Sequence, residues 1–161
     1  MTMTAYDPDP NLHEPPFATI DDAVALALEL GAMLPHAHLA ALSDERDLLV
    51  EATAFTHPGH TIDQAFGWAQ AIAYLVAVPR PSITLVSVVD GDVTEVREDD
   101  LATFRRLRAT TRPWLSIRDW LITDGLDVRS MAFTENPTEA WGGAGAQGRP
   151  FAIDDPDPGL W

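Results

Sequence analysis

Residues 82–89, Ser-Ile-Thr-Leu-Val-Ser-Val-Val, constrain the fold of this chain more than any other stretch. The segment is apolar at both alternating sets of positions and is rich in β-branched residues. It is fenced by Pro79-Arg80-Pro81 on one side and Asp90-Gly91-Asp92 on the other. A strand apolar on both faces is the mark of a buried central strand, so the rest of the chain has to supply its neighbours and the helices that cover it.

Those elements are legible on either side. Thr19-Ile20-Asp21-Asp22 has the form of a helix N-cap with acids in the first turn, and Ala23, Leu26, Ala27, Leu30 and Met33 then recur at helical spacing before Pro35. In residues 36–55 apolar stretches flank a polar, turn-rich cluster, Ser43-Asp44-Glu45-Arg46, which predicts two short strands joined as a hairpin. Thr61 or Asp63 opens a helix through Val76, with Ile62, Phe66, Ala69, Ile72, Ala73 and Val76 on one face. Trp68, Ala71 and Leu75 widen that apolar surface, which predicts a largely buried helix. A surface helix follows over about 98–111, with a narrower stripe of Leu101, Phe104 and Leu107. Residues 115–124 and 127–133 read as a closing pair of strands meeting at Asp124-Gly125-Leu126-Asp127. The expected order is α-β-β-α-β-α-β-β: one α/β domain over 18–133, a mixed sheet flanked by helices and centred on 82–89. Pro-rich and acidic composition predicts a flexible arm at 1–17, and Gly-, Pro- and acid-rich composition a flexible tail at 134–161.

Composition narrows the partners. The net charge is −15, and all ten basic residues are Arg. Such a surface repels phosphate backbones and anionic lipid, so nucleic-acid and membrane binding are disfavoured and a protein partner is expected. With no Cys, disulfides, thiolate metal sites and Cys nucleophiles drop out. The N-terminal residues lack the basic and apolar regions of a signal peptide, which predicts a cytoplasmic protein. The Arg-only, Ala-rich usage suggests a bacterial genome of high GC content.

The segment from Gly91, GDVTEVREDDLATFRRLRATTRPWLSIRDWLITDG, carries a resemblance. Its Gly-Asp turn, an acid-started helix running into Arg105-Arg106-Leu107, and the strand with Ile117, Asp119, Leu121-Ile122 and Asp124-Gly125, followed by Ser130, are similar to the RadC-like branch of the JAB/MPN metalloprotease superfamily. The resemblance spans residues 36–133. In that family the turn after the central strand carries two His and, further on, a Ser and an Asp; the His pair and the Asp hold a catalytic zinc. Aligning Gly91-Asp92 on the family's Gly-Asp places Val86 and Val88 at the His positions and Val96 at the Ser, and only Asp99 keeps its type. Valine offers no lone pair to a metal. The resemblance therefore implies the scaffold without its chemistry: a pseudoenzyme with no cofactor, working as a binding or scaffold domain.

Histidines elsewhere offer the competing reading of a metal-dependent hydrolase. His57-Pro58-Gly59-His60 with Asp63 can wrap two imidazoles and a carboxylate round one ion, with His36 or His38 as a further ligand, although Pro-Gly equally marks an ordinary turn. On a strand, His36 and His38 would share a face about 6.5–7 Å apart. Ser87, Ser116 and Ser130 lack a Gly-x-Ser-x-Gly setting, and the Gly-rich run 142–148 follows no strand and opens no helix. On a helix Arg105, Arg108 and Arg112 share one side, where they can meet an anion or an acidic partner or pair with nearby acids. Trp141 and Trp161, with Phe151, stand in the tail as anchors either to a partner or to the domain itself.

Overall fold

The computed structural model describes residues 16–95 and 97–142. Five strands form one mixed sheet in the order β2-β1-β3-β4-β5: β1 His38–Ser43, β2 Leu49–Phe55, β3 Ser82–Val88, β4 Ser116–Thr123 and β5 Val128–Ser130. β3 lies in the middle, antiparallel to β1 and parallel to β4; the β1–β2 and β4–β5 pairs are antiparallel. Three longer helices, α1 Ile20–Met33, α2 Ile62–Leu75 and α3 Glu98–Ala109, interleave with the strands in the expected order.

Local chemistry sets each helix start. Thr19 accepts the Asp22 amide while the Asp22 carboxylate takes the Thr19 amide, and Thr61 and Gln64 repeat the reciprocal cap on α2. α3 has no side-chain cap; Glu98, Asp99 and Asp100 in its first turn complement the positive end of the helix dipole instead.

Strand alternation then assigns the layers. On β4, Asp119, Leu121 and Thr123 share one face and Trp120 and Ile122 the other. α1 covers the Thr123 face so closely that a Cβ on Gly31 would lie 2.8 Å from the Gly125 Cα and 3.4 Å from the Thr123 Cγ2. On the other face His38 is paired with Phe55 and Ser87, and Phe55 meets Trp68 of α2 at 5.8 Å between ring centroids. α3 joins α2 on that side, where Arg106 reaches Asp63. The buried core thus runs through both faces of β3, as its apolar pattern requires.

The closing segment differs from expectation. Only Val128–Ser130 is strand; Met131–Glu135 turns into a short helix, α4. Ser130 causes the switch, because its hydroxyl accepts the Phe133 amide while Asp119 Oδ1 takes the Ala132 amide, and these bonds hold the chain helical. Nor does packing stop at 133. Trp141 is buried: its indole N–H donates to Asp119 Oδ2 at 2.8 Å, its ring stacks under the Arg118 guanidinium, and Phe17 meets it edge-on. A bulge in β4 between the β3 partners Ile83 and Thr84 leaves Arg118 outside the pairing register, and Arg118 and Asp119 both reach Trp141. At the other end Pro16 bridges to Leu48, and Phe17 is buried. Trp141 and Phe17, assigned by composition to tail and arm, are therefore parts of the domain.

Candidate functional site

The C-terminal ends of the parallel strands β3 and β4 open into a cleft of about 230 Å³. In α/β sheets this is where ligands bind, since the strand ends and the loops leaving them are not covered by the helices. Ser87, Trp120, Ile122 and Met131 line its interior, His38 stands to one side, and Val89, Asp90, Asp92, Val93, Glu95, Arg97 and Asp100 form the rim. Gly91 at φ +98° lets the chain turn sharply after β3, and Asp92 fixes the adjoining bend by accepting both the Thr94 amide and its hydroxyl.

The polar groups at the cleft are coupled. The Trp120 indole N–H donates to Ser87 Oγ at 2.9 Å, and the same oxygen is bonded to His38 Nδ1 at 2.8 Å, as donor or acceptor according to the tautomer of the ring. Burial, and secondarily the nearby His60, lowers the His38 pKa, so the neutral ring is the favoured form. A hydroxyl beside a neutral imidazole has the outline of an activated nucleophile. Here Ser87 is 1% exposed and held by both neighbours, so the hydroxyl orients His38 and satisfies Trp120 rather than meeting a substrate. Around the rim, Asp90, Asp92, Glu95 and Asp100 face Arg97 and Arg129. Burial raises the Asp100 carboxyl above its usual range, with Arg97 pulling it down and Asp99 pushing it up. Thr94 holds Asp92 below that range. Arg129 donates through Nε to the Val93 carbonyl, tying β5 to the rim. The result is a cleft with an apolar interior and charges of both signs at its mouth, suited to gripping a charged side chain with an aliphatic or aromatic stem.

The residues singled out in the sequence fall in several places. Val86 and Val88 are buried on the α1 side of β3, turned away from the cleft, and Asp99 is exposed at the start of α3. Val96 lies outside the described residues, as does Trp161. His36 does not share a strand face with His38: it precedes β1 at φ +59° and pairs through Nε2 with Asp90 at 3.1 Å. In the His-Pro-Gly-His loop the two rings lie 5.3 Å apart, but His57 Nδ1 accepts the Gly59 amide, so the loop is tied as a turn. Both Asp63 oxygens receive the Arg106 guanidinium, which holds that carboxyl below the usual range. Among the described residues no three His, Asp or Glu side chains converge as a metal site. Of the arginines, Arg105 and Arg108 both clasp Glu135 of α4, and α3 ends at Ala109, so Arg112 is not on the helix with them. That row clamps α3 to α4.

What the sequence reading missed is the cleft itself. His38, Ser87 and Trp120 are 33 to 82 positions apart in the chain and meet only through strand pairing, whereas Asp90-Gly91-Asp92 was a visible sign of a strand end and turn. Compared with protein-family models, curated proteins and solved structures, the chain matches none.

Proposed function

We propose that this chain is a non-catalytic binding or scaffold domain of JAB/RadC-like type, acting through protein–protein interaction at the strand-end cleft. The observation that carries the reading is the chemistry of that end of the sheet. Where the resemblance would require two imidazoles, β3 has Val86 and Val88, packed into the core beneath α1. The residues present do not fit a zinc ion there, because neither valine can donate a lone pair. The element order α-β-β-α-β-α-β-β and the central position of β3 support the scaffold half of the proposal. The cleft supports the binding half, offering apolar area for affinity and a rim of both charges for orientation.

The competing metal-dependent hydrolase at His57, His60 and Asp63 draws no support from the geometry, since Asp63 is already paired with Arg106. Affinity capture from the native host tests the proposal. The full chain is compared with an Asp100→Arg/Arg129→Glu variant, which inverts the rim, and with Arg106→Ala, which alters charge away from it. A partner held by the full chain and Arg106→Ala but lost with the rim variant is expected. Recovery of the same proteins by all three would overturn the reading.

A further inference from the structure

The end of the sheet opposite the cleft carries an apolar surface that the domain leaves open. Tyr74 is 73% exposed, Leu75 64% and Trp114 42%. Tyr74 and Trp114 approach to 6.1 Å between ring centroids, although one closes α2 and the other leads into β4. Beside them a groove of about 510 Å³ runs between Arg80-Pro81 and Pro113-Trp114. Aromatic residues concentrated at an open groove, with an arginine on its edge, have the composition of a docking surface.

The path of the chain indicates what covers it. Ser116 lines this groove and also the neighbouring cleft that holds Ser82, Arg118 and Trp141, so the described residues end one past Trp141, in a cleft that adjoins the groove at Ser116. The 19 residues beyond Gly142 run through Gly and Ala to Phe151-Ala152-Ile153, followed by Asp154, Asp155 and Asp157. Nine residues from Gly142 to Phe151 span up to about 30 Å, so reach is not limiting. We propose that residues 150–155 of the same chain dock in this groove, with Phe151 and Ile153 against Tyr74, Trp114 and Pro81 and the aspartates toward Arg80 and Arg112. Two apolar side chains ahead of two acids match an aromatic groove with Arg80 on its edge. A segment on the same chain also acts at a high effective concentration, whereas a second copy would have to bring another −15 charge against the first.

The absence of cysteine makes the test clean. A nitroxide is attached to Ala152→Cys in the full chain, and amide signals are recorded with the label oxidised and reduced. Tyr74, Leu75, Ala77, Arg80 and Trp114 are expected to lose more than half their intensity, the loss being unchanged on tenfold dilution and abolished by adding Phe151→Ser/Ile153→Ser. No broadening at these residues would overturn the proposal. So would broadening seen only when the label and the observed nuclei are on different molecules, which would assign the groove to a second copy.

Discussion

Replacing Asp119 by Asn tests how the chain closes on itself. The carboxylate is fully buried and takes four donors in two pairs: Oδ1 receives the Trp120 and Ala132 amides, and Oδ2 receives the Ser130 hydroxyl at 2.5 Å and the Trp141 indole at 2.8 Å. Burial pushes this carboxyl up, against the downward pull of its donors. Asparagine keeps the shape and the Oδ1 pair but places an NH₂ where Oδ2 was. Ser130 can turn its hydroxyl; the indole N–H, a donor only, is left facing another donor. One buried donor without a partner costs about 1–3 kcal/mol. For a domain of this size about 2 kcal/mol lowers Tm by roughly 6–10 °C. Removing a buried charge acts in the opposite sense, so the single variant is ambiguous and a double-mutant cycle with Trp141→Phe is the sharper assay. The phenyl ring of that variant still packs against Phe17 and Arg118 but has no N–H to orphan. In urea unfolding followed by circular dichroism, the double variant should therefore be less destabilised than the sum of the singles by about 1 kcal/mol. Additive effects would refute the account of Trp141 as held through Asp119.

Two further outcomes rest on other contacts. Gly31→Ala sets a Cβ 2.8 Å from the Gly125 backbone, so α1 must shift from the sheet; a loss of about 1–3 kcal/mol in urea unfolding is expected, and a neutral result would show that the helix rests less closely on the turn. His38 has a folded pKa below its unfolded value of 6.5, so the stability it contributes is complete above pH 6.5 and is lost as pH falls through 6.5 toward the folded value. Relative to His38→Gln, the wild type should therefore lose stability as pH falls below 6.5, and parallel stability curves would contradict this sign.

The order and boundaries of the long elements were readable because each carries its own local signal. The Thr19 and Thr61 caps, the doubly apolar 82–89 run and the Asp124-Gly125 turn need nothing from outside their segments. The turn into α4 after Ser130 was not, because the apolar residues of 127–133 following the Asp124-Gly125 turn read as a strand and the deciding acceptor, Asp119, lies eleven residues earlier on another strand. Trp141 was hidden for the same reason: its Gly- and Pro-rich neighbours suggest a tail, and only Asp119 and Arg118 make it part of the core. The cleft shows the same limit in reverse. Asp90-Gly91-Asp92 pointed to the right end of the sheet, but on β3 it is Ser87, not Val86 or Val88, that faces the open side. The imidazole there comes from His38, a strand away.

Calorimetric titration of the purified captured partner into the full chain, with the partner's mass checked afterwards, tests whether the strand-end cleft binds a protein without cleaving it. Saturable binding at fixed stoichiometry is expected, weakened at least tenfold by Asp100→Arg/Arg129→Glu and unaffected by Arg106→Ala, with the partner recovered intact. Equal affinity for the rim variant, or a partner cut during the titration, would contradict it.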